Sequence, residues 1–181
     1  MRNIIAAIYL TLDGVMEHPA WTGPYFNDEL GAAQHRLLFE SDALLLGRVT
    51  YQGFAQAWPN VPDTDGFANR MNSLPKYVTS RTLTTPEWNA QLLPGPDATE
   101  AVRQLKQQPS GNLLLYGSGA LADTLRQHDL IDEYQLMVFP VVLGQGQRFF
   151  REGSAPTDLQ LVGVQTTSTG VSILTYRRVG S

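Results

Sequence analysis

Residues 44–54 read LLLGRVTYQGF, and this stretch fixes how the rest of the chain is read. Three leucines run into Gly47, and Arg48 follows at once. An apolar run with no polar face suits a strand buried on both sides, as in a parallel sheet. The spacing then predicts a short helix over 50–56. A cation at a strand-to-helix junction has two readings. It is either a surface arginine after a turn or a group that meets a phosphate.

The same grammar recurs outward in both directions. Residues 3–10 read as a buried strand, with the turn signal Leu12-Asp13-Gly14 behind it. A polar and aromatic loop runs through Trp21 and Pro24. Asn27 or Asp28 caps a helix to about Glu40, with Leu30, Gln34, Leu37 and Leu38 at helical spacing. The expected strand inside the opening stretch covers 43–46. A second short helix is expected over 65–72 and a third strand over 76–80. A loop at Pro94–Pro96 precedes a capping box, Asp97 to Glu100, and a helix to about Gln108. NLLLYGSG, residues 112–119, is a strand running into glycines, followed by a helix to His128. EYQLMVFPVV is a long strand, and residues 159–165 and 171–178 alternate like an antiparallel hairpin. Alternating strand and helix followed by paired strands predicts an α/β three-layer domain over 1–181, with a mixed, mostly parallel sheet.

The chain's 181 residues suffice for a sizeable core, and 43% apolar with 17% charged residues is ordinary for a globular protein. A net charge of −4 without a basic tract argues against a nucleic-acid partner. No run approaches the roughly 20 apolar residues of a membrane span, and the N-terminal apolar run is expected to be a strand, not a leader. With no cysteine, disulfide and thiolate chemistry are excluded, and a cytoplasmic setting is expected. The histidines His18, His35 and His128 lack metal-ligand spacing, so no metal site is expected.

In open α/β sheets ligands sit at the carboxyl ends of strands, so the loops at 11–26, 47–51, 79–82 and 117–121 carry the chemistry. Gly117-Ser118-Gly119-Ala120-Leu121-Ala122 lets backbone amides approach an anion at a helix N-terminus. It fits G-x-G-x-x-A, but the acidic residue that a Rossmann domain places about 20 positions later is missing. Arg48 and Arg81 follow two successive strands and would reach over the same sheet edge. With Thr50, Thr79 and Ser80 beside them they form a plausible pocket for a phosphate monoester. Asp13 is either a turn residue or a substrate contact. Trp21, Tyr25 and Phe26 either cover a planar ligand or cap the core.

These segments together resemble the dihydrofolate reductase-like fold, in the branch shared with the reductase domain of bacterial riboflavin biosynthesis. IIAAIYLTLDG looks like that family's first strand and loop, and SDALLLGRVTYQGF resembles its second strand and Gly-Arg-x-Thr helix start. LPKYVTSRTL is similar to its Ser-Arg strand end, LLLYGSGALADTL to its glycine loop, and DLIDEYQLMVFPVVLGQGQRFF to its Pro-x-x-Leu-Gly-x-Gly segment. The resemblance implies NADPH, hydride transfer and a homodimer. It implies that Arg48, Ser80 and Arg81 hold the 2′-phosphate, with Gly47 and Thr50 alongside. Gly117 to Leu121 would cradle the pyrophosphate, and backbone at Ala7 would meet the nicotinamide carboxamide.

The chain also departs from that family. Ala7 stands where riboflavin-pathway reductases carry a lysine, Tyr116 where they carry a glutamate, and Thr50–Phe54 where they carry Asp-Asn-Pro. Those groups handle a phosphorylated sugar. An uncharged planar heterocycle, pterin- or pyrimidine-like, is therefore the expected acceptor. Folate reduction, the riboflavin-pathway pyrimidine reduction and a non-catalytic NADPH-binding module are the alternatives. Asp13, Asp28, Tyr51 or a water is expected to supply the proton, with Trp21, Asp28 and Tyr51 as substrate contacts.

Overall fold

The computed structural model describes residues 1–95 and 97–179. Eight strands form one sheet: β1 (Ile4–Thr11), β2 (Ser41–Gly47), β3 (Lys76–Thr79), β4 (Ala90–Leu92), β5 (Asn112–Tyr116), β6 (Glu133–Phe139), β7 (Leu159–Thr166) and β8 (Ser172–Arg178). Their order is β4-β3-β2-β5-β1-β6-β8-β7. The first six strands in this order pair in parallel, and β8 then runs antiparallel to both β6 and β7. The tail thus forms the antiparallel hairpin that its alternation predicts.

Among the described residues five α-helices cover the sheet: α1 (Asp28–Phe39), α2 (Arg48–Ala57), α3 (Phe67–Ser73), α4 (Ala98–Gln107) and α5 (Gly119–Gln127). β1 shows how the layers separate. Ile4, Ala6, Ile8 and Leu10 pack with Val102 and Leu105 of α4 and Leu121 and Leu125 of α5. Ile5 and Ala7 face the other way, onto Leu30, Leu37 and Leu38 of α1, with Tyr9 alongside. This is the period-two alternation of a strand between two helical layers. Apolar faces of helices then bury against both surfaces of the sheet, and the three-layer α/β architecture follows.

Local chemistry starts and stops the helices as expected in two cases. The Asn27 side chain accepts from the Leu30 amide at 3.0 Å and caps α1. Asp97 accepts from Thr99 and Glu100 amides and caps α4, but the capping box is only half formed. Glu100 turns its carboxylate outward to Arg103 and Gln104. The loop expected at Pro94–Pro96 extends to Pro96, which lies outside the described residues.

Three features differ from the sequence reading. α2 begins at Arg48 instead of Thr50, so Arg48 is the first residue of a helix, not of a loop. A 3-10 turn, Pro19–Tyr25, occupies the aromatic loop. β4 has no sequence signal, being three residues long. Its approach is set by Trp88 and Asn89, both at positive φ, with the Trp88 indole N–H donating to Asn72 Oδ1 at 2.7 Å.

Candidate active site

The carboxyl ends of β1, β2, β3 and β5 open into one cleft of about 1390 Å³. Its wall includes Ala7, Gly47, Arg48, Thr50, Thr79, Ser80 and Arg81, together with the whole run Gly117 to Leu121. The loops singled out after successive strands are therefore brought together. The physical cause is the parallel sheet, which aligns the ends of its strands on one side.

The glycine loop is stitched to the second strand by Ser118. Its hydroxyl donates to the Tyr116 carbonyl at 2.9 Å and accepts from the Gly47 amide at 2.9 Å. Its own amide donates to Thr50 Oγ1 at 3.1 Å. These bonds hold Gly117 and Ser118 in consecutive left-handed conformations, at φ 51° and 53°. A serine adopts that conformation only where the surroundings impose it. The path delivers the chain to the start of α5. Neither α5 nor α2 has a side-chain cap, in contrast to α1 and α4. Two helix N-termini with uncapped first-turn amides thus meet the same cleft, which favours a negatively charged guest. Arg48 and Arg81 are exposed, and neither is in a salt bridge among the described residues. Arg48 donates to Gln52 at 2.9 Å, one turn along its own helix. Ser80 accepts from the Thr82 and Leu83 amides, which shapes the turn carrying Arg81.

Part of the cleft wall is aromatic. Phe54 meets Tyr116 edge-on at 6.1 Å and Trp58 at 6.4 Å. Tyr9 lies on the same sheet face as Ala7, two residues further along β1, and Gln34 of α1 reaches down to it. Burial raises the Tyr9 phenol to about 12 and the Tyr116 phenol higher still, so both stay protonated. Among the described lining residues Arg48 and Arg81 are the only lysine or arginine side chains.

Four residues expected at the site do not line it. Asp13 takes the hydroxyl of Thr11 at 2.6 Å and the amides of Leu143 and Gly144 at 3.2 and 2.8 Å. The Thr11 hydroxyl first, and then these amides, hold its carboxyl down at about 2. It ties the β6–β7 connection to the end of β1. The same tie brings Met16 and Gln147 over the glycine loop, where a Cβ on Gly119 would stand 2.7 Å from Met16 Sδ. Tyr51 is buried, its hydroxyl donating to the Glu87 carbonyl and accepting from the Glu87 amide at 2.9 and 2.7 Å. Trp21 packs edge-on against Phe139 at 5.4 Å and donates to the Glu17 carbonyl. Asp28 is exposed at the start of α1.

The residues that sequence reasoning missed are Tyr9, Gln34, Phe54 and Trp58. Gln34 had one signal, a polar residue on the apolar stripe of α1.

A mixed sheet with this strand order, wrapped in two helical layers and opening an anion-ready cleft at its strand ends, defines a protein of the dihydrofolate reductase-like class. Residues 2–173 match the RibD C-terminal domain family, and the chain belongs to that family. It is 30% identical over 180 residues to YyaP, an uncharacterized protein of Bacillus subtilis, covering 97% of this chain and 94% of that one. In structure it resembles a protein of Shewanella sp. PV-4 provisionally assigned to riboflavin biosynthesis, with a TM-score of 0.73, 22% identity, and 97% and 98% of the two chains covered. It also resembles the diaminohydroxyphosphoribosylaminopyrimidine deaminase/5-amino-6-(5-phosphoribosylamino)uracil reductase of Thermotoga maritima, with a TM-score of 0.68 and 16% identity. That likeness covers 98% of this chain and 56% of the Thermotoga chain, and at such identities it concerns the fold.

Proposed function

We propose that the protein is an NADPH-dependent reductase of a neutral, planar heterocycle, pterin- or pyrimidine-like. The observation that carries this reading is the pairing of two uncapped helix N-termini with two arginines that form no salt bridge among the described residues, around one cleft. The first-turn amides of α5 and the left-handed Gly117–Ser118 path suit a pyrophosphate. Arg48, Arg81 and the Ser80 hydroxyl suit the 2′-phosphate that distinguishes NADPH from NADH. Backbone at Ala7, which lines the cleft, would meet the carboxamide in this reading.

When bound, NADPH supplies the hydride. The chain's part is to align an acceptor against it at about 3–3.5 Å and to exclude water. The aromatic wall of Phe54, Trp58 and Tyr116 suits a flat ring. The absence of further lysine or arginine among the described lining residues argues against a phosphorylated sugar on that ring. A phosphate there would lose its hydration without gaining charge-assisted hydrogen bonds.

The working unit in this reading is a homodimer. The outer strand β7 supports it, because Leu159–Thr166 holds no charged residue. Leu161, Val162 and Val164 are 47%, 44% and 59% exposed there. An uncharged edge strand of this kind is normally covered.

The test of the cofactor reading is a fluorescence titration of NADPH against NADH, with wild type, Arg48→Ala and Arg81→Ala. Charge-assisted contacts contribute roughly 1.5–3 kcal/mol each. Each substitution is therefore expected to weaken NADPH about tenfold or more and to leave NADH nearly unchanged. Equal losses for both nucleotides overturn the assignment of the two arginines.

A further inference from the structure

Gln34 lies between two phenols. Its Oε1 accepts from the Tyr116 hydroxyl at 3.0 Å, and its Nε2 donates to the Tyr9 hydroxyl at 3.0 Å. An amide can be turned end for end, which would reverse both directions. Met137 settles the orientation. Its thioether sulfur lies 2.9 Å from Nε2 and has no hydrogen to donate, so the face of the amide turned to it must be the N–H side. Both Nε2 hydrogens are then committed, one to Met137 Sδ and one to Tyr9 Oη. Tyr9 is left as an acceptor toward Gln34, and its own hydrogen has no partner among the described residues. Phe139 meets the Tyr9 ring edge-on at 5.4 Å and restrains it. The open direction is the cleft, which Tyr9 lines beside Ala7 and Tyr116.

None of the three side chains expected to give a proton is available there. Asp13 is held ionised by Thr11 and two amides outside the cleft. Asp28 is exposed at the start of α1 and does not line the cleft, and the Tyr51 hydroxyl is spent on Glu87. We propose that Tyr9 is the substrate-recognition donor and the catalytic acid. Its hydroxyl donates to a carbonyl oxygen or imine nitrogen of a lactam-type ring in the aromatic end of the cleft, with Gln34 and Met137 as positioning residues. The recognition half stands on the hydrogen-bond geometry alone, and the proton half rests on the reductase reading above. In that half, the carbon of the C=N or C=O bond takes a hydride from the reduced nicotinamide and the π pair moves to the heteroatom. The Tyr9 Oη–H bond breaks to give that heteroatom its proton, and water at the cleft mouth reprotonates the phenolate. A phenol pushed up to about 12 by burial remains protonated at neutral pH.

The probes are lumazine, a fluorescent pteridine dione carrying both acceptor types, and indole, which is planar but offers no ring acceptor. Tyr9→Phe keeps the edge contact with Phe139 and is expected to fold. It should weaken lumazine about three- to tenfold, the size of one neutral hydrogen bond, while indole and NADPH change by less than about twofold. Met137→Leu leaves Tyr9 in place but frees the Gln34 amide to turn, so it should lose part of the same lumazine affinity. With NADPH present, Tyr9→Phe should lower lumazine reduction by about a hundredfold, as for loss of a general acid. No lumazine binding by wild type, unchanged binding in Tyr9→Phe, or a parallel loss of indole overturns the recognition half. Unchanged lumazine binding in Met137→Leu overturns the assigned amide orientation. Lumazine held through Tyr9 by a protein that does not bind NADPH, or does not reduce lumazine with it, supports recognition and overturns the proton step. Failure of NADPH binding with lumazine still held through Tyr9 counts against the cofactor reading as well, and leaves recognition standing.

Discussion

Lys76 carries its amine into the sheet with only 1% of the residue exposed. Its Nζ meets the Asn72 carbonyl at 2.8 Å and the Trp88 ring at 3.9 Å, not a carboxylate. Burial lowers its pKa from 10.5 to about 8. The unfolded chain therefore holds more protons between those values, and this group's contribution to stability rises with pH across that window. Below pH 8 the cost of burying the charge is fully present. The urea midpoint of wild type minus that of Lys76→Met should increase from pH 8 to pH 10, since the tyrosines titrate alike in both proteins. A flat difference refutes it. Asp13 depends on pH in the same sense over a lower window: its stabilising bonds are present above pH 3.8 and lost as pH falls toward 2. Asp13→Asn should speed amide exchange at Leu143 and Gly144 while leaving NADPH affinity within about twofold. A loss of affinity with unchanged exchange would return Asp13 to the site. Asp13 shows the limit of reading at this scale. Asp-Gly after a strand announces a turn, but only the position of the 143–144 backbone decides what its carboxylate does.

At the scale of elements, the difference between capped and uncapped helices separates stability from binding. Asp97→Ala should destabilise the fold, the usual effect of a lost cap, seen as a lower thermal midpoint. α5 is expected to behave the other way. Gly119→Val should weaken NADPH by more than tenfold with a small effect on stability. Because a Cβ there meets the flexible end of Met16, the experiment includes Gly119→Val with Met16→Ala. If removing Met16 restores binding, steric contact with that side chain, not amide approach to the pyrophosphate, explains the loss. Helices α1 and α4 were legible because their caps are written in the adjacent residues. The first turn of α2 was misplaced by two residues because Gly47 provides no side-chain cap, and the helix start is set instead by the Ser118 hydroxyl holding the Gly47 amide.

For the molecule as a whole, the edge strand β7 yields the remaining prediction. Val162→Lys with Val164→Lys should convert a dimer to a monomer in size-exclusion chromatography with light scattering, at preserved secondary structure. An unchanged mass refutes β7 as the contact. The strand order that exposes β7 also gathers the cleft, since β5 inserts between β2 and β1 and carries the glycine loop beside Arg48.

Hydrophobic periodicity, glycine at strand ends and the alternation of element types are local properties. The sequence alone therefore determined the α/β class, the mostly parallel sheet with its antiparallel hairpin, and the loops that meet at the strand ends. Residues 9, 34 and 116 are joined by Gln34 across separations of 25 and 82 positions. No local pattern encodes that meeting, because it depends on which strands become neighbours and how α1 is rotated over them. The same holds for β4, whose three residues carry too little periodicity to register and whose place is set by Trp88 packing over Lys76. The tertiary structure alone decided that Tyr51 bonds to Glu87, that Asp13 bonds to the 143–144 backbone and that Tyr9 lines the cleft bonded to Gln34, because each outcome depends on a partner far away in sequence.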